Sequence, residues 1–395
     1  MKILQTTNDL AINGSEPMFN DPHYVGKPNI GDKDYFISLV NEMFERKRFT
    51  NDGPLVKELE DKLSKFLNVK YAFAVCNATI GLEIAARALS LKGEVIVPSF
   101  TFVATAHCLK WLGIKPIFVD IDPLTCNINP DSVKKAITPR TSGILGVHLW
   151  GRPCDVEALE KIAKEHNIQL FFDAAHAFGC SYKNNMIGNF GRCEVFSFHA
   201  TKFFNTFEGG LITTNDPILA GKIKVMRNFG FTGVDKVESV GTNGKMTEVC
   251  AAFGLTNFVD YENITKTNDR NYNLYKKCLN DVNGISVIEY NLNEISNYSY
   301  IIIKIDKEVY GISRDRLGDI LNKENIMARR YFYPGAHKME PYLTDDFYKN
   351  IALPITDEVC KEVLALPTGK NVNENDIKHI CDLIKFVGSN SDYLK

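Results

Sequence analysis

The chain has 395 residues, 45% hydrophobic and 24% charged, the balance of a soluble globular protein. That length exceeds one ordinary core and predicts two domains. A formal net charge of −2 and a pI near 6.5 give no electrostatic reason for a nucleic-acid or anionic-membrane partner, so any phosphate-bearing ligand needs a local site. The opening MKILQTTNDLAINGSEP has no apolar signal-like region, and no run approaches about 18 apolar residues; the expected location is the cytoplasm. The ten cysteines, from Cys76 to Cys381, form no Cys-x-x-Cys pair and no zinc-spaced Cys/His cluster. They read as small buried hydrophobes in a reducing compartment, with no metal expected.

In chain order, residues 1–31 are rich in Asn, Gly and Pro and read as an extended arm. Asp32 suits an N-cap, and helical spacing follows to Phe44. From residue 69 the pattern alternates. Strands are expected at Tyr71–Val75, Glu94–Val97, Lys115–Val119, Ser142–Val147 and Gln169–Phe172. Helices are expected between them at Thr79–Leu89, Phe102–Leu112, Asp131–Ile137 and Asp155–His166, the last capped by Asp155. Such alternation predicts an α/β fold with a mostly parallel sheet and helices on both faces. A further helix is expected from Val249 to Phe258, with Thr247 or Thr242 at its cap. After about residue 255 Asn and Tyr become common. A strand at Tyr298–Ile305 and helices at Arg314–Asn322 and Glu374–Val387 suggest a smaller α+β unit. The expected division is an arm (1–31), a large domain (32–255) and a small C-terminal domain (256–395).

Two residues suggest a chemistry. Lys202 lies in Ser-Phe-His-Ala-Thr-Lys, and Asp173 ends the apolar strand in Phe-Phe-Asp-Ala-Ala-His. A lysine amine can form a Schiff base with the aldehyde of pyridoxal 5'-phosphate (PLP), and a carboxylate can keep the pyridine nitrogen protonated. Either residue alone is commonplace, as a solvated lysine or a turn aspartate. Around them stand weaker candidates. Ala78 and Thr79 begin a helix after a strand, a place that suits either phosphate or a simple cap. Phe102 follows a strand's carboxyl end, where a ring can stack on a planar cofactor or fill the core. His176 and Ser197 can reach the cofactor's phenolic oxygen and phosphate, or be ordinary structural residues. Gly241–Thr247 weakly resembles an anion loop. Tyr331, Tyr333 and His337, around Pro334-Gly335, suit either a nucleotide or sugar pocket or an interface loop.

Taken together, the segments CNATIGLEIA, VPSFTFVATAH, FVDIDP, TPRTSGILGVHLWGRP, FFDAAHAFG, SFHATK, FEGG, GTNGKMTEVCAAFGL and YPGAHKMEPY resemble the DegT/StrS family of PLP-dependent nucleotide-sugar aminotransferases. The likeness runs from about residue 25 to 385. VHLWGRP, VGTNGKM and the Pro-Gly-x-His loop are similar to the branch that aminates C4 of dTDP-4-keto-6-deoxyglucose in desosamine formation. The resemblance implies fold type I, the aspartate aminotransferase-like PLP fold. It implies transfer of the amino group of L-glutamate to a dTDP- or UDP-linked 4-keto-6-deoxyglucose, giving the 4-amino-4,6-dideoxy sugar (viosamine) for glycan synthesis. It assigns Lys202 to the Schiff base, Asp173 to the ring nitrogen, His176 to the phenolic oxygen, Phe102 to stacking, and Ala78, Thr79 and Ser197 to the phosphate. Asn243 would reach the phosphate of a second subunit, making an obligate homodimer with sites at the interface. Lys245, Tyr331, Tyr333 and His337 are the expected sugar-nucleotide contacts. Related 3-dehydratases carry histidine where Lys202 stands. The rival readings are amination of a 3-keto sugar and, more distantly, a non-catalytic regulator on a PLP fold.

Overall fold

A computed structural model describes residues 2–394. The large sheet has seven strands: β1 (Tyr71–Val75), β2 (Glu94–Pro98), β3 (Lys115–Val119), β4 (Thr141–Val147), β5 (Gln169–Asp173), β6 (Glu194–Ser197) and β7 (Gly210–Thr214). Their spatial order is β1-β7-β6-β5-β4-β2-β3. Strand β7 runs antiparallel to both of its neighbours, and every other pairing is parallel. The expected mixed, mostly parallel sheet is therefore present.

Side chains alternate between its faces, as strand geometry requires. Val95, Val97, Leu145, Phe171, Val195 and Ile212 face one core. Ile96, Ile144, Leu170 and Phe172 face the opposite core, continued by Phe196 and Leu211. Helices α1 (Lys33–Arg46), α2 (Pro54–Leu67), α3 (Ala78–Ala88), α4 (Ala104–Trp111), α5 (Pro130–Ala136), α6 (Val156–His166), α7 (Pro217–Met226) and α8 (Glu248–Val259) cover both faces. Leu82, Leu109 and Ile223 bring α3, α4 and α7 to the first face, and Leu59, Leu159 and Ala251 bring α2, α6 and α8 to the second.

The start of α1 follows the sequence expectation: the Asp32 side chain accepts from the amides of Asp34 and Tyr35 at 2.8 and 2.9 Å. Asp155 likewise caps α6 by accepting from the Ala158 amide at 3.1 Å. Thr247 occupies the cap position of α8 without a side-chain cap bond. Helix α2 escaped the sequence reading because its cap is remote. The buried Glu248 carboxylate accepts from the amides of Leu55 and Val56 at 3.0 and 2.9 Å, complementing the positive end of the helix.

A second layer contains α9 (Tyr261–Leu279), an antiparallel three-stranded sheet of β8 (Ile285–Val287), β9 (Ile301–Ile305) and β10 (Val363–Leu366), and helices α10 (Arg314–Lys323), α11 (Pro354–Glu362) and α12 (Glu374–Ser389). Tyr275, Ile303, Leu317 and Ile380 form its core. Between α10 and α11 the chain returns to the large sheet, where Ala336, Tyr342 and Tyr348 pack with Phe118.

The expected extended arm is more structured than its composition suggests. It makes short turns at Thr7–Asp9 and Ala11–Asn13 and buries Leu10 completely. Glu324 holds it by accepting from the amides of Ala11 and Met18 at 2.7 and 2.6 Å and by pairing with Lys2 at 3.0 Å. Further along, His23–Tyr24 pairs in parallel with Ile326–Met327. No helix among the described residues is long and apolar enough to cross a membrane.

Candidate active site

The carboxyl ends of parallel strands leave amides and side chains pointing into one crevice. Here that crevice is a cavity of about 870 Å³. Its walls include Ala78, Thr79, Phe102, Asp173, His176, Ser197 and Lys202 from the large sheet's edge. The C-terminal layer adds Ser299, Tyr300, Arg329, Tyr331 and Phe332, and the arm adds Tyr24–Pro28.

Asp173 ends β5 and is buried. Its Oδ2 accepts from the Thr105 hydroxyl at 2.8 Å, and its Oδ1 accepts from the Ala175 amide at 3.0 Å. Burial raises this carboxyl above its ordinary range, while those two donors and the Lys202 ammonium pull it back. Thr101 Oγ1 lies 2.9 Å from Thr105 Oγ1, so a pair of threonines four positions apart, one in the loop after β2 and one in the first turn of α4, backs the carboxylate. The sequence reading missed both. Thr-x-x-x-Thr directly after a strand was the available signal.

Lys202 sits on the turn after β6, its amide donating to the His199 carbonyl at 2.8 Å. Packing around the amine lowers it to about 8, against the opposing pull of Asp173. A useful fraction is therefore the neutral nucleophile near neutral pH.

The tautomer of His176 follows from its partners. The Trp150 amide donates to Nδ1 at 3.1 Å, so a neutral ring carries its proton on Nε2. Burial, and then the nearby Lys202, hold the ring well below its usual pKa, hence neutral. Its plane lies 7° from that of Phe332, with centroids 5.9 Å apart. Trp150 can present its amide this way because its backbone is left-handed, at φ 53°.

Helix α3 begins after Asn77, whose side chain accepts from the Ile80 amide at 2.9 Å. That single cap leaves the first turn with further free N–H groups at the cavity wall. Ser197 ends β6 on the same wall. Phe102 was expected inside a helix, but α4 starts only at Ala104. The ring stays out of the core, 57% exposed and on the cavity wall.

Several expected contacts lie elsewhere. Asn243 is exposed and Lys245 is buried with its ammonium 4.5 Å over the Phe229 ring; neither lines this chain's cavity. Tyr333 lies outside it too, between the guanidinium groups of Arg314 and Arg330 at 5.3 and 5.0 Å. His337, expected at a sugar-nucleotide pocket, is buried instead as a structural tie. Its Nδ1 lies 2.6 Å from Ser99 Oγ, and its amide donates to the same oxygen at 3.1 Å. Of the four expected sugar-nucleotide contacts, Lys245, Tyr331, Tyr333 and His337, only Tyr331 lines the cavity.

Residues 31–385 match the model of the DegT/DnrJ/EryC1/StrS aminotransferase family. This chain belongs to that family. The aminotransferase is 39% identical to the dTDP-4-amino-4,6-dideoxy-D-glucose transaminase of Shigella dysenteriae, over 92% of this chain and 98% of the relative. The Escherichia coli protein of the same name is 37% identical over 91% of this chain and 97% of its own length. Among solved structures, DesI crystallised with its TDP-sugar product superposes with a TM-score of 0.95 at 42% identity, covering 98% of each chain. The Helicobacter pylori aminotransferase PseC gives a TM-score of 0.87 at 26% identity, over 94% of this chain and 100% of its own. The fold is accordingly that of the PLP aminotransferases, fold type I.

Proposed function

We propose that this aminotransferase moves the amino group of L-glutamate to C4 of a dTDP- or UDP-linked 4-keto-6-deoxy-D-glucose, giving the 4-amino-4,6-dideoxy sugar. The likeness to 4-amino-4,6-dideoxyglucose transaminases along almost their full length carries this reading. The same reading divides the chain into an arm, a large cofactor-holding domain and a small C-terminal domain.

The cavity's side chains fit PLP. A buried carboxylate suits a cationic ring nitrogen, and an amine whose pKa is lowered to about 8 suits an aldehyde. A neutral histidine with its proton on Nε2 can donate to a phenolate, and an exposed Phe102 can cover a flat ring. The start of α3 with Ser197 suits a phosphate. Bound there, PLP would supply an aldehyde for the amine and a ring that accepts electrons.

The protein's own steps follow from these positions. Lys202 Nζ serves as nucleophile and, once released, as the base that removes and returns protons at the reacting carbon. Asp173 keeps a negative charge at the ring nitrogen, with Thr105 and Ala175 fixing both of its oxygens. Phe102, Tyr300, Tyr331 and Phe332 line the walls and exclude water from the reacting atoms. Asn243, on the surface and outside this chain's cavity, suits the role of a contact offered to a second subunit. Exposed Phe44 and Phe49 lie on the kind of surface that such a subunit covers.

The test supplies PLP and 15N-labelled glutamate with, in separate reactions, the dTDP- or UDP-linked 4-keto sugar and its 3-keto isomer, and locates the nitrogen by NMR. Label on C4 is the expected result. Label on C3 of a 3-keto substrate, with none on C4, would transfer the protein to the rival reading.

A further inference from the structure

The cavity carries more positive charge than its known partners use. Its only acidic residues are Asp173, set against Lys202, and Glu208, whose carboxylate lies 3.6 Å from His199. Lys27 and Arg329 also line the cavity, and among the described residues neither ion-pairs with a carboxylate.

The neighbouring Arg330 shows what a purely structural arginine does here. It pairs with Asp315 at 2.9 Å and stacks over Tyr333, outside the cavity. Arg329 turns the other way. Its backbone is clamped to Ala365 by reciprocal bonds of 3.1 and 2.8 Å, and its guanidinium lies over Tyr331 at 5.5 Å. It is thus held in place without a counter-charge.

Lys27 is brought to the same wall by the arm. The parallel pairing of Tyr24 with Met327 sends both segments onward in one direction, Lys27 three residues beyond it and Arg329 two. Just after Lys27 the arm is stitched to the Lys202 loop. Asn29 Nδ2 donates to the Phe203 carbonyl, and Asn205 Nδ2 donates to the Asn29 carbonyl, each at 3.0 Å. Just before it, Gly26, at φ +77°, lies against Thr201, where an added Cβ would come within 3.1 Å of the Thr201 carbonyl oxygen.

We propose that Lys27 and Arg329 form a dianion subsite at the cavity wall, assembled from the arm and the C-terminal layer. The proposal rests on the aminotransferase reading above. Its ligand chemistry is a doubly charged anion, present both as the carboxylates of the amino-acid donor and as the diphosphate of the nucleotide sugar. A fixed guanidinium offers paired N–H donors and an ammonium adds a point charge, which together suit either group.

The test uses the PLP-loaded enzyme and its Lys27→Gln, Arg329→Gln and Arg329→Lys variants, with Arg330→Gln as control. Calorimetry measures the binding of 2-oxoglutarate and, separately, of dTDP and UDP, and steady-state assays give KM for glutamate and the sugar. Both glutamine variants should weaken the same ligand by about tenfold or more, with kcat changing less than KM. Arg329→Lys should recover part of the loss. Loss confined to 2-oxoglutarate and glutamate assigns the donor's carboxylates; loss confined to the nucleotides and sugar assigns the diphosphate; loss of both assigns a subsite used in turn by each. Either glutamine variant behaving as wild type towards every ligand overturns the proposal. An inactive wild-type enzyme would instead refute the aminotransferase reading, so the two failures are distinguishable.

Discussion

The two walls of the cavity are built in different ways. The large-sheet wall is local: Asp173 and Ser197 each end a strand, Phe102 closely follows a third, and Ala78 and Thr79 open the helix after a fourth. The opposite wall is composite. The arm, Ser299–Tyr300 and the trio Arg329, Tyr331 and Phe332 come from three separate stretches; a two-residue parallel pairing ties the arm to the segment before Arg329, and side-chain bonds to backbone tie it to the Lys202 loop. The first wall holds a fixed group through pre-set geometry. The second can be tuned to a substrate without disturbing the sheet.

The largest effect should come from the local wall. Lys202→Ala should lower turnover by roughly 10³-fold or more while the fold persists, as stopped-flow and circular dichroism would show. Turnover at the wild-type rate would remove Lys202 from the chemistry. Asp173→Asn should cost about 10²–10³-fold in kcat, because a neutral amide cannot hold the charge at the ring nitrogen. Thr105→Val should cost less. The carboxylate keeps the Ala175 amide but loses its hydroxyl donor, a loss of about 1–3 kcal/mol. The Asp173 pKa should rise further, and the pH profile of PLP binding should shift with it.

On the composite wall, Asn29→Ala should act mainly on KM. It removes the bond to the Phe203 carbonyl, worth about 1 kcal/mol, and loosens the arm against the Lys202 loop. Equal losses in kcat and kcat/KM would instead place the arm in the chemical step. The smallest effect concerns pH. With its amine at about 8, Lys202 should capture PLP faster as pH rises through that value, because the neutral form is the nucleophile. The sign for stability is the same. The unfolded chain binds the extra proton between about 8 and the free-lysine pKa near 10.4, so Lys202's contribution favours folding as pH rises across that window. Absorbance-monitored PLP binding and denaturant titrations over pH check both.

This contrast also explains what the sequence made legible. The alternation of short apolar runs with helices revealed the sheet, and the residues after Val75, Pro98, Phe172 and Phe196 supplied the first wall. The Thr105–Asp173 bond was hidden because it joins residues 68 positions apart. His337 was misplaced because an aromatic loop looks the same whether it faces a pocket or ties Ser99. Arg329 and Lys27 were passed over because an unpaired cation cannot be told from a paired one, such as Arg330, without coordinates. The arm's Asn-, Gly- and Pro-rich composition concealed an anchor, Leu10, and a cavity wall.

Chemical trapping tests the role of Lys202 most directly. The purified protein is loaded with PLP, reduced with borohydride, digested, and its peptides are read by mass spectrometry. The reduced cofactor is expected on Lys202 and on no other lysine. Attachment elsewhere, or no attachment despite intact folding, would contradict it.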